Sequence, residues 1–154
     1  MLKLVSALGI ASLCVGCASV VNDSTHPMRL ETKTSSGEVI TNAECKLSND
    51  YGSITVKSGD TAQVRRSSKD LDIVCTHPDN QDASGRAVSR ANGGMWGNII
   101  IGGGIGAIID HNKGTAYTYP TWVQLIFGKS LVFDRQAEKE GQPVLGLEPV
   151  ASSQ

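Results

Sequence analysis

The chain has 154 residues, with 14 Lys and Arg against 15 Asp and Glu and a net charge of −1. That balance, with Arg65-Arg66 as an isolated pair and no basic stripe, speaks against a nucleic-acid partner. Aromatic residues make up 5% of the chain, too few for a broad sugar-stacking groove.

The first element is apolar. Met1-Leu2-Lys3 opens with positive charge, and residues 4–15 are uncharged and mostly Leu, Val, Ile, Ala and Gly. A positive start, a short apolar stretch and small residues at its end make a secretory pattern. The stretch falls well short of the ~20 residues of a spanning helix, so it is expected to be removed rather than to stay as a span. It ends Leu13-Cys14-Val15-Gly16-Cys17-Ala18-Ser19, which resembles the lipobox of bacterial prolipoproteins. The resemblance implies a signal peptide over residues 1–16, a diacylglycerol on Cys17 and acylation of the new N-terminus. Two or more acyl chains make a durable anchor, whereas one is marginal. Cys14 stands where that family usually carries Leu. Cys14 is also the rival lipid site, with bulky Leu13 at the cut. Ala18 resembles the outer-membrane sorting pattern, whereas an Asp there would resemble inner-membrane retention. The plain alternatives are a secreted protein cut near the same place, or an N-terminal helix that stays on.

Residues 17–27 are small and polar and read as a lipidated tether ending at Pro27. Strand signals follow from Met28, with turn clusters between them. Met28 to Thr34 alternates apolar and polar over its first half, before Ser35-Ser36-Gly37. Ala43 to Leu47 alternates with Cys45 inward. Gly52 to Val56 places Ile54 and Val56 inward. Thr61 to Arg65 and Leu71 to Cys75 complete the series. Short strands at even spacing predict a mainly β fold: a small antiparallel β-sandwich spanning residues 28–133, with a glycine-rich apolar helix or hairpin inserted at 93–114. Cys45 and Cys75 sit on two of these strands. In an oxidising compartment they are expected to pair as a disulfide; a metal pair completed by His77 is the alternative.

The runs Cys45-Lys46-Leu47-Ser48-Asn49-Asp50-Tyr51-Gly52, Val56-Lys57-Ser58-Gly59-Asp60-Thr61-Ala62-Gln63-Val64 and Leu71-Asp72-Ile73-Val74-Cys75 resemble a PEGA-type module, a small β-sandwich of bacterial envelope proteins. Ser58-Gly59 stands where such modules often have Pro-Gly, and Thr76-His77-Pro78-Asp79 replaces their closing Gly-Tyr. The resemblance implies binding or spacing rather than catalysis.

Residues 95–109 read MWGNIIIGGGIGAII, without a charge. On a helix, Gly102 and Gly106 lie four apart, as do Gly103 and Ala107, making a ridge of small residues that lets another helix approach closely. The stretch resembles the glycine-zipper segments of bacterial outer-membrane lipoproteins. A helix of this length covers about 22 Å, short of the ~30 Å hydrocarbon core. Three readings stand: a helix or hairpin buried on the domain, a segment that self-associates or dips into a membrane, and a phosphate-cradling loop. The last lacks both the Gly-Lys-Ser/Thr ending and the Gly-x-Gly-x-x-Gly pattern.

Asp110-His111-Asn112-Lys113-Gly114 reads as a helix end. Tyr117, Tyr119 and Trp122 suit a core or a membrane interface. Trp122 to Phe127 and Leu131 to Phe133 are the last strands expected, and residues 134–154 read as a disordered tail. The function expected is structural or interaction work at the outer membrane, facing the periplasm. The partners expected are the membrane through the lipid, further copies or other envelope proteins, and no nucleic acid. No catalytic group, metal or cofactor is expected. An oligomerising subunit of a secretion or pore-like complex is the first rival. An envelope hydrolase using His111 is the last.

Overall fold

The computed structural model describes residues 24–91 and 116–149. The signal peptide 1–16, Cys17, most of the tether and the glycine-rich stretch with Gly102, Gly103 and Gly106 lie outside the described residues.

The described residues are mainly β, arranged as open sheets. The first sheet is built on a long strand, β1 (Thr25–Lys33), whose inward positions His26, Met28, Leu30 and Thr32 are buried. β1 begins three residues before the sequence pattern expects, because Thr25 to Pro27 pair with Arg65 to Gln63. One side of β1 holds β2 (Val39–Ile40) and then β5 (Thr61–Arg65), both antiparallel to it. The other side holds β10 (Trp122–Ile126), which runs parallel. The second sheet has the order β11 (Ser130–Phe133), β7 (Asn80–Ala87), β6 (Leu71–His77), β3 (Glu44–Asn49) and β4 (Gly52–Lys57). It is antiparallel except for β11 against β7. The short strands β8 (Arg90–Ala91) and β9 (Tyr117–Thr118) pair with each other.

Inward residues of both sheets share one core, in which Met28, Leu30, Leu47, Ile73, Leu125 and Phe133 are fully or almost fully buried. Burial of this kind contributes about 1.5–3 kcal/mol for each large apolar side chain. Cys45 and Cys75 lie directly opposite each other in the register of β3 and β6, with Cα atoms 4.0 Å apart and an S–S distance of 2.03 Å.

Four features depart from the expectations. The arrangement is not purely antiparallel. β8 and β9 bring the chain back beside the point where β7 ended, at the same end of the sheets as the start of β1, so β10 sets out in the direction of β1, with Trp122 beside Arg29. β7 carried no strand signal, being Asn-Gln-Asp-Ala-Ser-Gly-Arg-Ala. It forms because small residues are what its place admits: a Cβ on Gly85 would lie 2.8 Å from Phe133 Cε2 and 3.2 Å from Leu125 Cδ2. Ile54 does not point inward; β4 is an edge strand and Ile54 is exposed, while Val56 alone packs against the core. Finally, the expected loose tail is ordered over residues 134–149. It makes a single 3₁₀ turn at Arg135–Ala137, bridges Val123 through Val144 and Val132 through Leu147, and buries Val144. Gly146 permits this close approach, since a Cβ there would sit 2.7 Å from the Leu131 Cβ.

Candidate functional site

The strand directions sort every connection to one of two poles. At the entry pole lie the start of β1, the ends of β3, β5, β7 and β11, and the starts of β4, β6 and β10. The β8–β9 stem, which delimits the glycine-rich stretch, follows directly from β7 and leads directly into β10. The segment toward Cys17 and both ends of that stretch therefore join the described residues at the same pole.

Side chains bind these connections together. Arg66 is central: its Nε donates to the Thr25 carbonyl at 3.0 Å, and its Nη1 donates to the Tyr117 carbonyl at 3.3 Å. One guanidinium thus holds the beginning of β1 and the stem strand β9. Next to it, His26 Nδ1 and Thr118 Oγ1 are 3.0 Å apart. His26 is buried, and its pKa is pushed down to about 4, first by burial and then by the Arg66 charge. The imidazole stays neutral because protonation would place a charge in a poorly hydrated position beside a guanidinium.

A second set of contacts ties the loops. Tyr119 is fully buried, and its hydroxyl donates to the Lys69 carbonyl at 2.8 Å. Asn49 Nδ2 donates to the Arg65 carbonyl at 2.8 Å and to the Tyr119 hydroxyl at 3.2 Å. Burial raises the Tyr119 pKa, so the hydroxyl remains a donor. Ser67 is fully buried, donates to Asp50 and accepts from the Lys69 amide. Ser89 Oγ donates to the Ser67 carbonyl, and the Ser89 amide donates to Asp70 at 3.0 Å. Arg90, on the stem, pairs with Asp134 through both carboxylate oxygens, and this contact lowers the Asp134 pKa. The ordered segment after β11 thereby joins the stem.

Of the residues singled out from sequence, the structure brings Cys45 and Cys75 together and puts Tyr119 into the core. His77 lies away from them in use: its Nδ1 is 3.1 Å from the Asn80 amide nitrogen, and its ring tilts against Phe127. The sequence reading did not find Arg66 or His26. The signal for Arg66 was the Arg65-Arg66 pair at a strand end. Alternation sends the two guanidinia apart: Arg66 to the Thr25 and Tyr117 carbonyls, Arg65 over the exposed ring of Tyr51, 4.6 Å from its centroid.

Set against family models, curated protein sequences and solved structures, the chain matches none.

Proposed function

We propose that this chain is a lipoprotein of the bacterial envelope, cut before Cys17, acylated there and held at the outer membrane facing the periplasm, with a structural or interaction role and no catalysis. In this reading the two sheets are a small β-sandwich of the binding or spacing kind, similar to a PEGA-type module. The glycine-rich stretch is its contact element. One observation carries the reading: Arg66 holds the carbonyls of Thr25 and Tyr117 together. The points where the chain departs toward Cys17 and where it returns from residues 95–109 are thereby held together, as suits two apolar features addressed to the same surface.

The test is metabolic lipid labelling of the native chain. Label is expected on the parent protein and lost with Cys17→Ser. Label that persists in that variant overturns Cys17 as the site and points to Cys14.

A second reading, an oligomerising subunit of a secretion or pore-like complex, is favoured by the β8–β9 stem, which delimits a stretch whose Gly102, Gly103 and Gly106 suit close contact. Gly102→Leu separates the two readings. Loss of an oligomer on sizing, with unfolding unchanged, supports assembly. A destabilisation of ~1–3 kcal/mol, as overpacking produces, supports packing on the domain itself. Neither effect would leave the glycines as plain loop and remove the argument for assembly.

A further inference from the structure

Among the described residues, two exposed cations at the entry pole have no carboxylate partner. Arg90 is paired with Asp134 and Arg135 with Glu138, and Arg66 is spent on carbonyls. Arg65 and Lys69 are exposed and form no ion pair among the described residues. Asp50 and Asp70, in the same loops, keep their charge but bond to neutral donors, Ser67 and the Ser89 amide, rather than to these cations. Beside Arg65 stands Tyr51, the one aromatic ring among the exposed large hydrophobic residues described. Tyr51, Ile54 and Arg65 rim a cleft of about 230 Å³ that reaches Leu47, Val64 and Thr25. The far pole is the more acidic: Glu38, Glu44, Asp60, Asp79 and Asp82 outnumber Lys33, Lys57 and Lys129 there, whereas at the entry pole Arg65, Arg66, Lys69, Arg90 and Arg135 narrowly outnumber Asp50, Asp70, Asp134 and Glu138.

We propose that the entry pole rests on an anionic phospholipid surface, with Tyr51, Arg65 and Lys69 as its contacts. The inference deepens the lipoprotein reading and rests on it for the presence of a membrane. The chemistry is that of interfacial anchoring. A tyrosine ring suits the headgroup layer, where an apolar body and a polar tip are both satisfied. Arginine and lysine extend apolar stems while keeping their charge among headgroups. Each cation near an anionic leaflet changes the partition by roughly fivefold. The far pole, rich in carboxylates, is repelled by the same surface, so charge sets the orientation. The site is next to Thr25, where the chain arrives from Cys17, so a short tether already presents this pole.

The test is hydrogen–deuterium exchange of the native chain in nanodiscs of phosphatidylethanolamine with phosphatidylglycerol, compared with nanodiscs of phosphatidylcholine alone. Amides of residues 49–52 and 65–70 are expected to exchange several-fold more slowly on the anionic lipid, with residues 34–38 and 77–80 unchanged. The combined variant Tyr51→Ala, Arg65→Gln, Lys69→Gln is expected to lose that protection. Protection at the far pole, equal protection on both lipids, or protection retained in the variant overturns the proposal. If the combined variant fails to fold, as its far-pole exchange would reveal, Lys69→Gln alone decides. That side chain has no bond to lose, and an unaltered exchange pattern overturns the proposal. Intact mass of the same sample reads the acyl groups on Cys17. Entry-pole protection without acyl refutes the anchor and keeps the contact surface; acyl without protection does the reverse.

Discussion

The two poles are held by different means. At the far pole the chain turns locally: Gly37 and Gly59 adopt positive φ with no neighbour within 4 Å of an added Cβ, and short backbone bonds such as Gly37 to the Thr34 carbonyl close the turns. The Cys45–Cys75 bond lies near this end of β3 and β6, one residue from where β3 begins. At the entry pole the ties are side chains reaching backbone groups far away in sequence, as Arg66 does to Tyr117 and Tyr119 to Lys69. A local turn costs little loop-closure entropy. A pole where the chain leaves and returns after a long excursion needs specific long-range bonds instead. Those bonds concentrate where this protein has distant segments to bring together.

The largest way to break the contrast is at Tyr119. Tyr119→Ala empties a fully buried ring position and removes the hydroxyl, and it is expected to cost about 3–5 kcal/mol in denaturant unfolding. Tyr119→Phe keeps the ring but strands the Lys69 carbonyl, at ~1–3 kcal/mol. Equal losses in the two variants would show that the hydroxyl, not the ring, holds the pole.

At the other end, Cys45→Ala with Cys75→Ala frees a loop of sequence separation 30. The chain-entropy model expects a loss of ~3–4 kcal/mol. Faster amide exchange is expected first in β3 and β6, with the entry-pole ties kept; uniform loosening of both poles would erase the distinction between them.

Acid sharpens the comparison. Folded His26 holds its pKa at about 4 against an ordinary 6.5, so between these values the unfolded chain binds a proton that the folded one refuses. Stability is therefore full above pH 6.5, falls as pH drops toward 4, and levels off below; the 2.5-unit gap corresponds to a limit of about 3 kcal/mol. His26→Gln is expected to flatten that part of the stability curve, measured by unfolding at a series of pH values. An unchanged slope would place the acid sensitivity in another group.

The smallest effect expected is Arg66→Met, at ~1–3 kcal/mol from carbonyls left without their donor. Its signature is location: faster exchange at residues 24–26 and 116–118, with the far pole unmoved.

Residue order alone determined a good part of this molecule. Alternation and turn spacing were enough for strands at Met28 to Thr34, Ala43 to Leu47, Thr61 to Arg65 and Leu71 to Cys75, because a half-buried strand imposes a period of two on its own side chains. Alternation also put Cys45 and Cys75 inward on two strands. Tertiary structure decided the rest. Asn80 to Ala87 has no local preference for a strand and becomes one because Phe133 and Leu125 leave room only for a residue such as Gly85. Residues 134–149 look polar and loose, yet Val144 is buried and Gly146 fits against Leu131. The direction of β10 was set by where the β8–β9 stem returns the chain. Arg66 drew attention only as half of a charged pair, since nothing in its neighbours specifies the carbonyls of Thr25 and Tyr117. Periodicity records what a residue's own element demands of it; which distant backbone it must meet is known only once the sheets have assembled.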